Sequence, residues 1–140
     1  MKRIHLTLIF LCILFSFPAV AEQELIKSQT QGEVTFISGG IGSDEQNALQ
    51  VIRADYNLHL LFSIKDTGEY VSDVRVRITD SSGNTLMETV ADGPMLFAKL
   101  KPGRYTVTVE RRGQVAKQSA TIGSTKRTSL SFAWPQEQDN

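Results

Sequence analysis

The amino-acid sequence predicts an all-β sandwich of seven or eight short strands, with one short amphipathic helix near its start. Three observations carry this reading. From Asn57 to Ala133, runs of alternating apolar and polar residues recur at intervals of ~8–12 residues, the spacing of a sandwich. The run Leu100-Lys101-Pro102-Gly103-Arg104-Tyr105-Thr106-Val107 writes a turn and then a strand. Pro102 presets φ near about −65°, and Gly103 admits the positive φ of a type II turn. Only Asp44 to Asp55 places its apolar residues at helical spacing.

The elements follow in order. Glu33 to Ser38 reads as a first short strand, broken by Gly39-Gly40-Ile41-Gly42. Ser43 is an N-cap residue with Gln46 three positions on, the pattern of a capping box, and Asp44 and Glu45 suit the positive end of a helix. Ala48, Leu49, Ile52 and Tyr56 form the stripe that packs on the sandwich. Leu58, Leu60, Phe62 and Ile64 then share one face of a strand, and Asn57, His59, Leu61 and Ser63 the other. Lys65 to Glu69 is a loop. Val74, Val76 and Ile78 alternate with polar residues up to the turn Asp80–Asn84, and Leu86 to Ala91 returns. After Asp92-Gly93-Pro94, Met95 and Phe97 are expected to point inward. Arg104 to Glu110, Gln114 to Ile122 and Thr128 to Ala133 complete the series, parted by Arg111-Arg112-Gly113 and by Gly123 to Arg127.

The first residues are an address. Lys2 and Arg3 precede an apolar run from Ile4 to Phe17, Pro18 stops it, and Ala19-Val20-Ala21 has the form of a cleavage site before Glu22. The run is too short for a bilayer span of ~20 residues. Residues 1–21 are therefore expected to be a signal peptide cut between Ala21 and Glu22. The processed chain would be periplasmic or secreted, with no transmembrane segment. Cleavage leaves 119 of the 140 residues and removes the only cysteine, Cys12, so neither a disulfide nor thiol chemistry is expected. About 120 residues can bury enough apolar surface without one. Loss of Lys2 and Arg3 leaves 13 basic against 15 acidic side chains, a balance with no electrostatic drive toward nucleic acid or anionic membranes. Residues 22–31 read as a flexible lead-in, 32–135 as the domain and 136–140 as a polar tail.

Leu100, Pro102, Gly103, Tyr105 and Val107, supported by Asp92-Gly93 and Phe97, resemble the turn-to-strand signature of carboxypeptidase regulatory-like domains, also described as transthyretin-like or Cna-B-like. The resemblance covers about Tyr56 to Ala133 and implies a Greek-key sandwich of the transthyretin type. The segment Ile37 to Asp55 is similar to the front end of small exported proteobacterial proteins of unassigned function. The scaffold implies no particular activity.

Candidate chemistry is sparse. His59 is the single histidine of the processed chain, and is expected at the rim or in solvent. Ser63 lies on the same strand face, and Asp55 and Asp73 are the nearest carboxylates to consider. No G-x-S-x-G elbow accompanies them, and no zinc-ligand spacing is present. Asp80, Ser82 and Asn84 superficially match a calcium loop but lack its closing glutamate. No catalytic residue, metal or cofactor is expected. Gly39, Gly40, Gly42 and Ser43 either form a strand-to-helix turn or offer a partner or ligand surface. Trp134 either plugs the core with Leu130 and Phe132 or stacks on a sugar. Arg75, Arg77, Arg111, Arg112, Lys126 and Arg127 read as solvated charge.

These residues lead to an expected function: an exported, non-catalytic binding module whose partner is an envelope protein, engaged through a strand edge or the loops at one end. The alternatives are a carbohydrate-binding module, a small hydrolase using His59, and an assembly module lending an edge strand.

Overall fold

Alternation along the strands decides which side chains meet between two sheets. In the computed structural model, which describes residues 25–137, the elements are β1 (Gln29–Gln31), β2 (Val34–Gly39), α1 (Gly42–Ile52), β3 (Leu58–Ile64), β4 (Arg75–Asp80), β5 (Thr85–Val90), β6 (Met95–Lys99), β7 (Gly103–Arg111), β8 (Gln114–Ile122) and β9 (Thr128–Trp134). They form a five-stranded sheet, β1-β2-β6-β3-β9, and a four-stranded sheet, β5-β4-β7-β8. All neighbours are antiparallel except β3 and β9, which run parallel. The chain makes the hairpin β4–β5, crosses to the other sheet for β6, and returns to lay β7 beside β4, a Greek-key path. The predicted all-β sandwich is the fold. Nine strands are present among the described residues because Gln29–Gln31, expected in the flexible lead-in, pairs with β2.

Leu58, Leu60, Phe62 and Ile64 of β3 face Val76 and Ile78 of β4 and Val107 and Val109 of β7 across the interior. Trp134 closes one end of this core. It is buried, lies 6.1 Å from Phe62 between ring centroids, and its indole N–H donates to the Gln114 carbonyl at 3.3 Å. No ring face is left exposed for a sugar, so the stacking role for Trp134 does not hold.

The sequence misplaced β6. Leu96 and Ala98 enter the inter-sheet core, whereas Met95 and Phe97 face the opposite side, beneath α1. The five-stranded sheet is covered on both faces at its middle strands, so β6 is apolar on both and its alternation does not choose between them. The helix also departs from expectation. Its N-cap is Ile41, Ser43 is exposed in the first turn, and no side-chain cap is made there. Glu45 and Gln46 instead reach back to Gly40, one accepting from its N–H at 3.3 Å and the other donating to its carbonyl at 3.0 Å. The buried Gly40 backbone needs these partners, which moves the helix start forward. At the far end the last turn tightens into a 3-10 turn, Arg53–Asp55, as Tyr56 N–H bonds the Arg53 carbonyl.

Gly103 is a third correction. Its φ of 158° is extended backbone at the start of β7, not the left-handed residue of a type II turn. The turn is held from outside: the Tyr105 hydroxyl donates to the Lys101 carbonyl at 2.6 Å, the geometry of a tyrosine corner. Removing that bond in Tyr105→Phe is expected to cost about 1 kcal/mol in urea unfolding, with the fold retained. Gly93→Ala is expected to cost about 3 kcal/mol or more, because a Cβ there would lie 2.3 Å from the Gly39 carbonyl oxygen.

Candidate functional site

The outer face of the five-stranded sheet carries a buried cluster that includes two titratable side chains, Tyr56 and His59. Ile37 from β2, Phe97 from β6, Leu49 from α1 and Tyr56 pack together there, with Ile52, Met95 and Ile26 around them. His59 projects from β3 into this layer and is only 4% exposed, so the expected rim or solvent position is wrong. The 3-10 turn covers it. Its Nε2 lies 2.9 Å from the Arg53 carbonyl, and its ring meets Phe97 edge-on with centroids 4.6 Å apart. The Arg53 guanidinium sits over the same phenyl ring at 5.7 Å. With Nε2 donating, Nδ1 is left a buried acceptor without a partner.

This arrangement does not build a nucleophile–base pair. Ser63 is four residues along β3, ~13 Å away at strand rise. Asp73 lies at the opposite end of the sandwich, beside the β5–β6 connection, where its N–H bonds the Ala91 carbonyl. Asp55 follows His59's partner Arg53 in the 3-10 turn, and its charge acts on Tyr56, raising that phenol above its ordinary value after the larger effect of burial. Among the described residues no three His, Cys, Asp or Glu side chains converge to hold a metal. Asp80 is committed to its turn: its carboxylate accepts from the Ser82 and Asn84 N–H groups and from the Asn84 amide, which hold it below the usual range.

The glycine segment is a packed turn. Gly40 holds φ at +100° with Met95 against it, and Gly39 lies under Glu45 and Ile26. Gly42 and Ser43 are exposed at the start of α1. Ala21 and Glu22, the expected cleavage pair, lie outside the described residues, as does the rest of the expected signal peptide. No helix among the described residues is long and apolar enough to cross a membrane.

Two concave sites flank the tyrosine-corner turn, and the sequence pointed to neither. One is a cleft of about 300 Å³ between the sheets, lined by Val34, Thr85, Leu86, Leu100 and Tyr105, with the exposed Lys101–Glu33 ion pair (2.8 Å) at its mouth. Beside it Gln31 bridges the two sheets. Its amide donates to the Glu88 carbonyl at 2.8 Å and accepts from the Glu88 N–H at 3.0 Å. The other is a polar concavity of about 380 Å³ between Ala54–Asn57, Lys99 and Gly123–Arg127. Gln31 lay hidden in a polar lead-in, and Lys99 and Lys126 meet only because β6 and β9 both neighbour β3. No protein-family model matches this chain, and no curated protein does.

Burial holds His59 below its ordinary pKa, with the Arg53 and Arg127 charges adding to the effect against opposing carbonyl contacts. A histidine whose folded pKa is depressed takes up its proton more readily when unfolded, so stability is lost as pH falls below the unfolded value of about 6.5. Melting temperature is expected to fall between about pH 7.5 and 5.5. His59→Leu should flatten that slope; an unchanged slope in the variant would assign the titration elsewhere.

Proposed function

We propose that this protein is an exported, non-catalytic binding domain that takes an extended segment of an envelope protein along the outer edge of β5. The observation that carries the reading is the pairing of Gln31 with Glu88. One side-chain amide donates to and accepts from a single backbone residue, as a neighbouring strand would. β5 ends the four-stranded sheet, and among the described residues no strand lies beyond this edge. By ladder alternation the N–H and C=O of Val90 face the same way as those of Glu88, and Val90 is half exposed. A strand added here would gain backbone bonds, and the adjoining apolar cleft would accept one of its side chains.

The other outer edge is guarded differently. Thr128 caps the Thr121 carbonyl of β8, Gln118 reaches the Ser131 carbonyl of β9, and Lys117 stands on β8 itself. Charge and side-chain stitches of this kind discourage strand addition. The expected partner is therefore a polypeptide with an apolar anchor in an extended stretch.

Val90→Pro removes one outward N–H while leaving the β4 side of the ladder intact. With a photo-crosslinker at Gln31, the native envelope should yield a defined adduct that is absent with the crosslinker at Val115. The adduct should drop about tenfold in Val90→Pro at unchanged melting temperature. Equal capture at Val115, or full capture by the folded proline variant, would overturn the proposal. An adduct between two copies of this chain would replace it with self-assembly.

A further inference from the structure

We propose that the concavity between Lys99, Ala54–Asn57 and Gly123–Arg127 binds a phosphate monoester carried on a sugar-sized polyol. Three cations from separate positions converge on it: Lys99 at the end of β6, and Lys126 and Arg127 from the loop before β9. Among the described residues none of the three forms an ion pair, whereas Lys101, Arg111 and Arg112 do. Among the described residues Asp55 is the only carboxylate lining the site. Like charges brought into one concavity raise each other's energy, and an oxyanion placed among them reverses the sign of that interaction.

Among the described residues the nearby helix end engages only one cation of this set. The terminal carbonyls of the helical segment favour cations, and two of them are already occupied. The Arg53 carbonyl serves His59 and Tyr56, and the Ala54 carbonyl takes a bond from Arg127 at 3.2 Å. That bond also fixes the guanidinium in place. Arg53 itself is committed to the Ser129 hydroxyl and the Phe97 ring. Lys99 and Lys126 are left as donors to a ligand, with Ser124 and Thr125 hydroxyls beside them.

Size and the lone carboxylate set the class. A volume of about 380 Å³ is in the range of small-molecule sites and larger than an inorganic phosphate needs. Asp55 would repel a second anionic group but accepts hydrogen bonds from hydroxyls. A phosphate facing the lysines and a polyol facing Asp55 satisfies both halves. The same chemistry occurs on a soluble sugar phosphate and on a membrane headgroup.

Isothermal titration calorimetry with glucose 6-phosphate, inorganic phosphate and glucose tests the site, with flotation on phosphatidylcholine vesicles, with or without phosphatidylinositol 4-phosphate, as the membrane arm. Glucose 6-phosphate is expected to bind at least ~tenfold more tightly than either half alone. The double substitution Lys99→Gln, Lys126→Gln should lose ~tenfold or more, while Lys117→Gln on β8 should bind as wild type. Asp55→Asn should strengthen inorganic phosphate relative to glucose 6-phosphate. Flotation that needs phosphatidylinositol 4-phosphate and is lost with the double substitution would place the ligand on a membrane headgroup. No saturable binding in either arm, or equal weakening by Lys117→Gln, would overturn the site.

Discussion

The middle strands of the five-stranded sheet, β2, β6 and β3, are buried on both faces, and most of the structure's peculiarities descend from that constraint. The sheet's inner face meets the four-stranded sheet through Leu60, Phe62, Leu96 and Phe132. Its outer face meets α1 through Ile37 and Phe97, against which Leu49 is fully buried. Burying one leucine of this kind contributes about 2 kcal/mol, so the helix is fastened to the sandwich by its few inward residues. The same layer forces a polar residue under cover: His59 sits on β3 where the helix closes over it. Close approach follows as well. The chain after β5 passes so near the end of β2 that Gly93 has no room for a side chain against the Gly39 backbone. Ser38 ties the two together, accepting from the Asp92 N–H at 3.0 Å.

A two-sheet sandwich leaves four strand edges, and this chain treats its two sides unequally. Where β8 and β9 meet, Thr128, Gln118 and Trp134 each bond a carbonyl of the facing strand. Where β1 and β5 meet, one glutamine does the work of a missing strand, and the remaining gap opens into the apolar cleft. Backbone groups at an edge are potent recognition elements because each offers a donor and an acceptor at fixed spacing. The side closed by a single side chain is held by only two hydrogen bonds, which is why the proposed strand addition is assigned to it.

Much of the fold was legible because one rule, alternation, was sufficient where one face of a strand is wet. Tyr105, Val107 and Val109 fell inward as read, and so did Val76 and Ile78. Alternation failed at β6, where Met95 through Ala98 is apolar on both faces and the period carries no direction. It failed at β1, since Gln29-Thr30-Gln31 has no apolar residue to mark a strand. The capping box at Ser43 was a sound local signal overridden by a tertiary need, the satisfaction of Gly40. His59 was misjudged because α1, read correctly as a helix, was not assigned to that sheet face. Neither concave site was legible, since each is assembled from residues brought together only by strand order.

The Leu100–Val107 motif matters to function through what it holds still. Asn57 grips Leu100 from both sides, donating to its carbonyl at 2.7 Å and accepting from its N–H at 2.9 Å. Tyr105 then secures Lys101. Between these anchors the backbone has little freedom, so Lys99 and Lys101 leave it in fixed and different directions. Lys101 turns to the apolar cleft and meets Glu33; Lys99 turns to the polar concavity and meets no carboxylate. For the proposed ligands, a backbone pinned in this way needs no ordering on binding, which lowers the entropic cost of recognition. One pinned turn therefore gives the two sides of this end opposite chemistry, an apolar cleft with a neutralised ion pair at its mouth and a concavity whose cations form no ion pair among the described residues.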